Sequence, residues 1–157
     1  MPDVKEGQPA PDFALPDAAG RTVRLRDFRG QTVVLYFYPR DETPGCTTEA
    51  CGFRDDHAAF TGRGAVVIGV SPDDPAAHAR FARKHNLPFI LLADQEHTAA
   101  RAYGVWKEKR RYGRTFWGVE RTTFLIDPQG RIARIFRNVR PAGHSRQVLA
   151  ALDAQAQ

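Results

Sequence analysis

One cysteine of this sequence stands where a thiol can become a nucleophile. Cys46 follows Thr43-Pro44-Gly45, just after a run of β-branched and aromatic residues at 32–38. Threonine is favoured immediately before a helix and proline suits its first position, so this segment predicts a helix that begins at Pro44 with Cys46 third. Unpaired backbone N–H groups and the helix dipole favour an anion there. We therefore expect Cys46 to ionise easily and to react as a thiolate.

A second cysteine, Cys51, lies five residues further along the chain. This spacing differs from the Cys-x-x-Cys of thioredoxin-type redox sites and from the spacing of zinc knuckles. In a regular helix the two Cα atoms would be roughly 8.6 Å apart, whereas a disulfide normally spans no more than about 6.8 Å. A bond between the two sulfurs would therefore require the first turns of the helix to unwind.

The histidines give no support to a metal centre. None of the five forms a paired spacing with another, and we expect most of them to face solvent or to cap helices: His57, His78, His85, His97 and His144. Two cysteines are also too few for a four-thiolate zinc site. No metal and no other cofactor is expected.

Hydrophobic periodicity indicates the elements that would position the cysteines. Continuous apolar runs at 32–38 and 65–71 are typical of central strands that are covered on both faces. Further strands are predicted at 21–26 and 88–93, with a hairpin around Pro128-Gln129-Gly130 that joins 122–127 to 131–136. Helices are predicted at about 44–60, 75–85, 98–103 and 145–153. This order predicts a thioredoxin-like α/β fold, in which helices flank a mixed central β-sheet with an N-terminal β extension.

Length and composition favour one globular domain over residues 1–157. The chain has a mass of 17.5 kDa, with 42% hydrophobic and 26% charged residues, which is ordinary globular usage. No apolar run approaches the ~20 residues of a membrane helix, and the first residues lack the pattern of a signal peptide. We expect a cytoplasmic protein that does not bind membranes.

The positive charge is concentrated in one region. Residues 101–140 contain eleven basic and three acidic residues, a local charge of +8 within a net charge of +5. Basic residues beside aromatic ones, as in the segment 107–117, could neutralise nucleic-acid phosphates. No nucleic-acid motif accompanies them, so we expect a solvated loop without catalytic role and no nucleic-acid partner.

The motif residues resemble those of a known family. Pro39, Thr43 and Cys46 match the Pro-x-x-x-Thr/Ser-x-x-Cys motif of the peroxiredoxins, and Cys51 matches the peroxiredoxin Q group, also called bacterioferritin comigratory proteins. The resemblance extends to the segments 7–13, 103–106 and 120–127, and therefore covers most of the chain.

The resemblance implies a role for each matching residue. Cys46 would be the peroxidatic cysteine, oxidised to a sulfenic acid that Cys51, the resolving cysteine, converts to an intramolecular Cys46–Cys51 disulfide. Thr43 would hydrogen-bond thiolate and peroxide, and Pro39 would shield the thiolate from water. Arg121 would stabilise the thiolate and the leaving oxygen. Glu49 would orient its neighbours, although a glutamate in the first helical turns also compensates the dipole.

The function implied by the resemblance is a thiol-dependent peroxidase that reduces hydrogen peroxide and organic hydroperoxides. Thioredoxin, or glutaredoxin, would recycle the disulfide, and a monomer is expected because the resolving cysteine is on the same chain. Two alternatives remain open at this point: a thiol–disulfide oxidoreductase, against which the missing Cys-x-x-Cys argues, and a nucleic-acid-binding module that uses residues 101–140.

Overall fold

The computed structural model describes residues 4–155 and contains nine strands and five α-helices within that range. The strands are β1 Ala14–Pro16, β2 Thr22–Arg24, β3 Thr32–Phe37, β4 Ala65–Ser71, β5 Ile90–Ala93, β6 Trp106–Arg111, β7 Arg114–Val119, β8 Thr122–Ile126 and β9 Ile132–Phe136. The helices are α1 Pro44–Asp55, α2 His57–Gly62, α3 Pro75–His85, α4 Thr98–Ala102 and α5 His144–Gln155, and a short 3-10 helix spans Leu25–Phe28.

Five strands form the central sheet, in the order β5-β4-β3-β8-β9. The pairs β3–β4 and β4–β5 are parallel, whereas β3–β8 and β8–β9 are antiparallel. β1 and β2 form a separate antiparallel hairpin near the N-terminus. This arrangement confirms the mixed central sheet, the N-terminal β extension and the hairpin predicted around Pro128-Gln129-Gly130.

The central strand β3 divides the hydrophobic core between the two faces of the sheet. Val34 and Tyr36 point into a cluster with α1, α2, α3 and α5, while Val33, Leu35 and Phe37 join a second cluster with α4 and the N-terminal hairpin. Every residue of β3 after Thr32 is buried, as its continuous apolar sequence indicates. The strand is therefore fixed on both faces, and its carboxyl end supplies a rigid base for the segment 38–43.

Helix boundaries follow local chemistry in most places. Asp74 caps α3 by accepting a hydrogen bond from the Ala77 N–H, Pro75 takes the first helical position, and Asn86 ends the helix in the left-handed conformation. The predicted helix over 44–60 is wrong in one respect, because it breaks at Asp56 into α1 and α2. Asp56 accepts hydrogen bonds from Ser145 at 2.7 Å and pairs with Arg146 at 3.4 Å, which fixes the break against α5.

The basic segment 107–117 is not the loop that its charge indicates. It forms most of the hairpin β6–β7, in which Tyr112 and Gly113 make the turn with positive φ values of 53° and 74°. Among the described strands, β6 and β7 pair only with each other, and Tyr112 at the tip is 95% exposed. Of the helices in residues 4–155, none has both the length and the apolar character needed to span a membrane.

Candidate active site

The candidate site lies where the carboxyl end of β3 leads through the segment 38–43 into α1. Thr43 has an extended backbone and Pro44 starts the helix, so Cys46 is the third helical residue, as the sequence predicts. Its side chain is only 1% exposed. The thiol therefore lies at the positive end of a helix and is shielded from bulk water, a setting in which a nearby charge acts strongly.

Arg121 supplies that charge from the short connection between β7 and β8. Its Nη2 donates to the Sγ of Cys46 at 3.3 Å, and its Nη1 donates to Oε1 of Glu49 at 2.6 Å. Glu49 is one turn after Cys46 on α1, so the two side chains share one face of the helix. One guanidinium thus joins the thiol and the carboxylate, an arrangement suited to its fixed fork of donors.

Glu49 is buried in a setting that disfavours its charged form. The side chain is 1% exposed, and its second oxygen, Oε2, has no hydrogen-bond partner among the described residues. Burial raises the pKa of Glu49 to about 7, although the charge of Arg121 and its hydrogen bond act in the opposite direction. Glu49 therefore orients Arg121 while carrying a charge that changes near neutral pH.

Thr43 has the backbone position of an N-cap but not its hydrogen bond. The hydroxyl donates to the carbonyl of Arg40 at 3.0 Å and does not accept from the first N–H groups of α1. The side-chain cap inferred from the sequence is therefore wrong, and the hydroxyl stabilises the preceding turn instead. Pro39 lies in the same segment and is half-buried.

Gly45 has a role at this site that the sequence did not indicate. A Cβ atom at this position would lie 3.2 Å from Nη2 of Arg121, closer than most side-chain carbons approach a neighbour. The absence of a side chain therefore lets the guanidinium lie against the first turn of α1 and reach Cys46. A glycine beside a reactive cysteine was the available signal, although glycine is also common at turns.

Cys51 shares α1 with Cys46, and both thiols are free. Cys51 is half-buried, and the helix between the two residues is unbroken. Cys46 and Cys51 are therefore five residues apart in a regular helix. This is the case in which the sequence predicts that a disulfide cannot form unless the helix unwinds.

The basic hairpin reaches this site through one lysine. Burial lowers the pKa of Lys109, the charge of Arg121 lowers it further, and Cys46 acts in the opposite direction. Its Nζ donates to the carbonyl of Val119, two residues before Arg121. Trp106 at the start of β6 is half-buried and stacked on His97, whereas Trp117 in β7 is 56% exposed.

Two histidines contradict the expectation of solvent-facing or capping roles. His78 and His144 are 0% and 1% exposed. Burial is the main cause that lowers the pKa of His144, and its ring hydrogen-bonds with Thr123 at 2.7 Å and Gln147 at 2.9 Å. For His78 a signal was present, because it shares one face of α3 with Phe81 at a spacing of three residues.

Comparison with known proteins shows the family to which the chain belongs. Residues 6–135 match the model of the AhpC/TSA family. Peroxiredoxin Bcp of Bacillus subtilis is 51% identical over 149 residues, which cover 95% of each chain. The chain belongs to the peroxiredoxins. This assignment confirms the thioredoxin-like fold and makes the protein a thiol-dependent peroxidase.

Solved structures of other bacterial peroxiredoxins have the same fold. A Cys-to-Ser mutant of peroxiredoxin Q from Xylella fastidiosa superposes with a TM-score of 0.94 at 35% identity and covers 100% of both chains. The bacterioferritin comigratory protein of Xanthomonas campestris gives a TM-score of 0.91 at 39% identity, over 98% of this chain and all of that one. Its alkyl peroxide reduction activity has been studied in trapped intermediate and ligand complexes.

Proposed function

We propose that Cys46 is the peroxidatic cysteine and that it reduces hydrogen peroxide and organic hydroperoxides. The thiolate attacks one oxygen of the peroxide, so that an S–O bond forms while the O–O bond breaks. The sulfur is oxidised to a sulfenic acid, and the other oxygen leaves as water or an alcohol once it is protonated. The observation that carries this proposal is the Nη2–Sγ contact of 3.3 Å at the N-terminus of α1.

Arg121 serves this reaction in two ways. Its charge stabilises the thiolate before attack, and its remaining donor capacity can stabilise the negative charge that develops on the leaving oxygen. Its bond to Glu49 holds the planar group in position, so little reorganisation is needed during the reaction.

The two motif residues of the segment 38–43 complete the pocket. Thr43 is proposed to hydrogen-bond the thiolate and the bound peroxide, and Pro39 to exclude water from the sulfur. In the structure the hydroxyl of Thr43 donates its one proton to the carbonyl of Arg40. It must therefore turn to Cys46 to donate to the thiolate, and its oxygen can then accept from the peroxide O–H.

Cys51 is proposed as the resolving cysteine. Its thiol attacks the sulfenic sulfur of Cys46, the S–S bond forms, and the sulfenic oxygen leaves as water. A dithiol reductant then returns both cysteines to thiols and becomes a disulfide itself. We propose thioredoxin for this step, with glutaredoxin as the alternative, in a monomeric protein of the cytoplasm.

A coupled assay tests the proposal. NADPH consumption is followed with thioredoxin reductase, thioredoxin and either hydrogen peroxide or cumene hydroperoxide, and glutaredoxin with its own reducing system replaces thioredoxin in a parallel series. Peroxide-dependent turnover with thioredoxin is expected. Turnover with a disulfide-bonded protein substrate but with neither peroxide would favour a thiol–disulfide oxidoreductase and contradict the proposal. Sedimentation at assay concentration tests the monomer.

A further inference from the structure

A buried carboxylate–imidazole pair lies outside the cysteine motif and touches the segment 38–43, which carries Pro39 and Thr43. His78, in the first turn of α3, is completely buried. Its Nδ1 lies 2.7 Å from Oδ2 of Asp41, and its Nε2 lies 2.9 Å from the carbonyl oxygen of Leu92 in β5. Asp41 stands between Pro39 and Thr43, so His78 links α3 and β5 to the segment that carries these two residues.

The pairing fixes where the ring protons are. A backbone carbonyl can only accept, so Nε2 of His78 carries a proton and donates it to Leu92. One further proton joins Nδ1 to the carboxylate of Asp41, whose other oxygen accepts from the Tyr38 hydroxyl at 2.6 Å. Buried hydrogen bonds of this kind are costly to break, because each partner would lose its bond without gaining water.

The neighbouring aspartate extends the same network to the backbone. Asp73 accepts from the Asp41 N–H at 2.7 Å and from the Ser71 hydroxyl at 2.6 Å. Asp41, Asp73 and His78 thus meet closely enough to resemble a metal site. Their hydrogen bonds, however, are directed at one another, at the hydroxyls of Tyr38 and Ser71 and at backbone groups. This indicates a structural network that holds the backbone of Asp41 in place.

The turn that this network holds is conformationally strained. Glu42, the residue after Asp41, has a φ of 68°, in the left-handed region that non-glycine residues seldom adopt. Its exposed carboxylate pairs with Lys84 at 2.9 Å and with His85 at 3.6 Å, both at the far end of α3. The next residue is Thr43, so the strained turn sets the direction in which α1 starts.

We propose that His78 is a positioning residue for the peroxidase reaction, acting through Asp41 to fix the turn that presents Thr43 and Pro39 to the peroxide at Cys46. The inference rests on the proposed function, because it assumes that peroxide reacts at this thiol. His78 touches neither the sulfur nor the substrate. Its effect is on geometry, and an error of about 1 Å in a reacting arrangement can slow a reaction by up to ~100-fold.

A matched pair of substitutions separates the two hydrogen bonds of His78. The amide nitrogen of asparagine takes roughly the place of Nδ1, and that of glutamine roughly the place of Nε2. His78→Asn therefore keeps the donor to Asp41, whereas His78→Gln keeps only the donor to Leu92. Asparagine is one methylene smaller than glutamine and loses more packing at this buried position, so a purely structural role predicts that His78→Asn is impaired at least as much as His78→Gln.

The rates of Cys46 oxidation by hydrogen peroxide and of its alkylation by iodoacetamide are measured by stopped flow in a Cys51→Ser background. We expect His78→Gln to slow oxidation by about 10- to 100-fold and to leave alkylation within roughly threefold. Alkylation needs the thiolate, next to which Arg121 stays, but it needs no peroxide positioned by Thr43. His78→Asn should oxidise within a few-fold of the parent. Equal oxidation rates in the two variants, or equal losses of oxidation and alkylation, would overturn the inference.

Asp41 provides a second route if a His78 variant does not fold. The amide of Asp41→Asn can donate to Nδ1 of His78 and accept from Tyr38, so this variant should keep its peroxide rate, whereas Asp41→Ala should lose it. Equal rates in these two variants would also overturn the inference. A parent protein whose Cys46 is alkylated but never oxidised by peroxide would instead reject the proposed function.

Discussion

Arg121 donates from Nη2 to the sulfur of Cys46 across 3.3 Å, although 75 positions separate the two residues in the chain. The contact depends on the antiparallel pairing of β3 with β8, in which Phe37 at the end of β3 lies opposite Thr122. The helix that carries the thiol follows β3, and the guanidinium precedes β8. The sheet register, rather than a local motif, therefore delivers the positive charge to the nucleophile.

Replacing Cys46 by serine should abolish peroxide turnover. A hydroxyl stays protonated near neutral pH and cannot attack an O–O bond as a thiolate does. The coupled NADPH assay should fall to the background without enzyme. Cys51→Ser is the matched control, since it removes a thiol from the same helix and should still consume one equivalent of peroxide per protein. Turnover within a few-fold of wild type in the serine variant at position 46 would reject the assignment.

Replacing Arg121 by lysine keeps the charge but removes the fork that reaches Cys46 and Glu49 together. Because the ammonium cannot donate to both from fixed directions, we expect Cys46 oxidation to slow by roughly tenfold or more. Stopped-flow oxidation measures this directly. Arg146→Lys is the control and should react like wild type, because the side chain of Arg146 is 81% exposed on the outer face of α5. An unchanged rate at position 121 would show that the guanidinium geometry is not needed.

Gly45→Ala should weaken the same contact by crowding. The added Cβ would lie 3.2 Å from Nη2 of Arg121, so the guanidinium must shift by a few tenths of an ångström. We expect peroxide oxidation to slow by about threefold to tenfold. Gly62→Ala, in α2 with no atom within 4 Å of the new carbon, should keep the wild-type rate. Equal oxidation rates in the two variants would mean that the glycine at position 45 is needed only for the start of α1 and not for the contact between Arg121 and Cys46.

Glu49→Gln should change how stability depends on pH. The pKa of Glu49 in the folded protein is about 7, above its ordinary 4.5, because the carboxyl is buried. The buried Glu49 side chain stabilises the folded protein in its neutral form. This contribution to the free energy of unfolding is complete below pH 4.5 and is lost as the pH rises through 7. The free energy of unfolding of the glutamine variant should therefore rise relative to that of the wild type between pH 5 and 8, by about 3 kcal/mol at most.

Urea unfolding at several pH values measures this difference, with Glu42→Gln as the control. Lys84 lowers the pKa of the exposed Glu42. Any contribution of this pair to the free energy of unfolding therefore has the opposite pH dependence: it is present at high pH and is lost on acidification. A stability difference between Glu49→Gln and wild type that does not vary from pH 5 to 8 would mean that Glu49 ionises as freely as in solvent.

Oxidation should unwind the first turns of α1. Two Cα atoms five residues apart in a regular helix lie roughly 8.6 Å apart, and a disulfide requires about 6.8 Å or less. We expect a smaller far-UV helical signal and faster amide exchange over residues 45–53, while the central strands stay protected. Cys51→Ser should prevent the change and accumulate a sulfenic acid. An oxidised structure with an unbroken helix over 44–53 would refute this.

The sequence predicted the cysteine chemistry because that part of the site is local. Thr43, Pro44 and Cys46 define a helix start within four residues, and hydrophobic periodicity gave the strand before it. The partner Arg121 was reached only through the family resemblance, since no local pattern states which arginine lies near a thiol. Its position depends on strand pairing, a long-range property that spacing alone does not encode.

The features that the sequence did not predict depend on side-chain environment. The break of the helix at Asp56 depends on Ser145 and Arg146, which come almost ninety positions later. The hydrogen bond between His78 and Asp41 likewise joins residues 37 positions apart. In both cases a partner distant in sequence decides the outcome. Charge alone suggested a solvated loop at 107–117, where β6 and β7 pair across the two-residue turn at Tyr112 and Gly113.

The break at Asp56 also bears on how fast the enzyme recovers after reduction. Forming a helix from coil is slow to begin, because several residues must be ordered before the first hydrogen bond is gained. The contacts of Asp56 with α5 leave the carboxyl end of α1 folded while its first turns open. After reduction, the first turns of α1 re-form by extension of the helix that is still folded at its carboxyl end, at about nanoseconds per residue. Refolding of α1 should therefore be far faster than the encounter with a reductant. When reductant is scarce, that encounter should limit turnover.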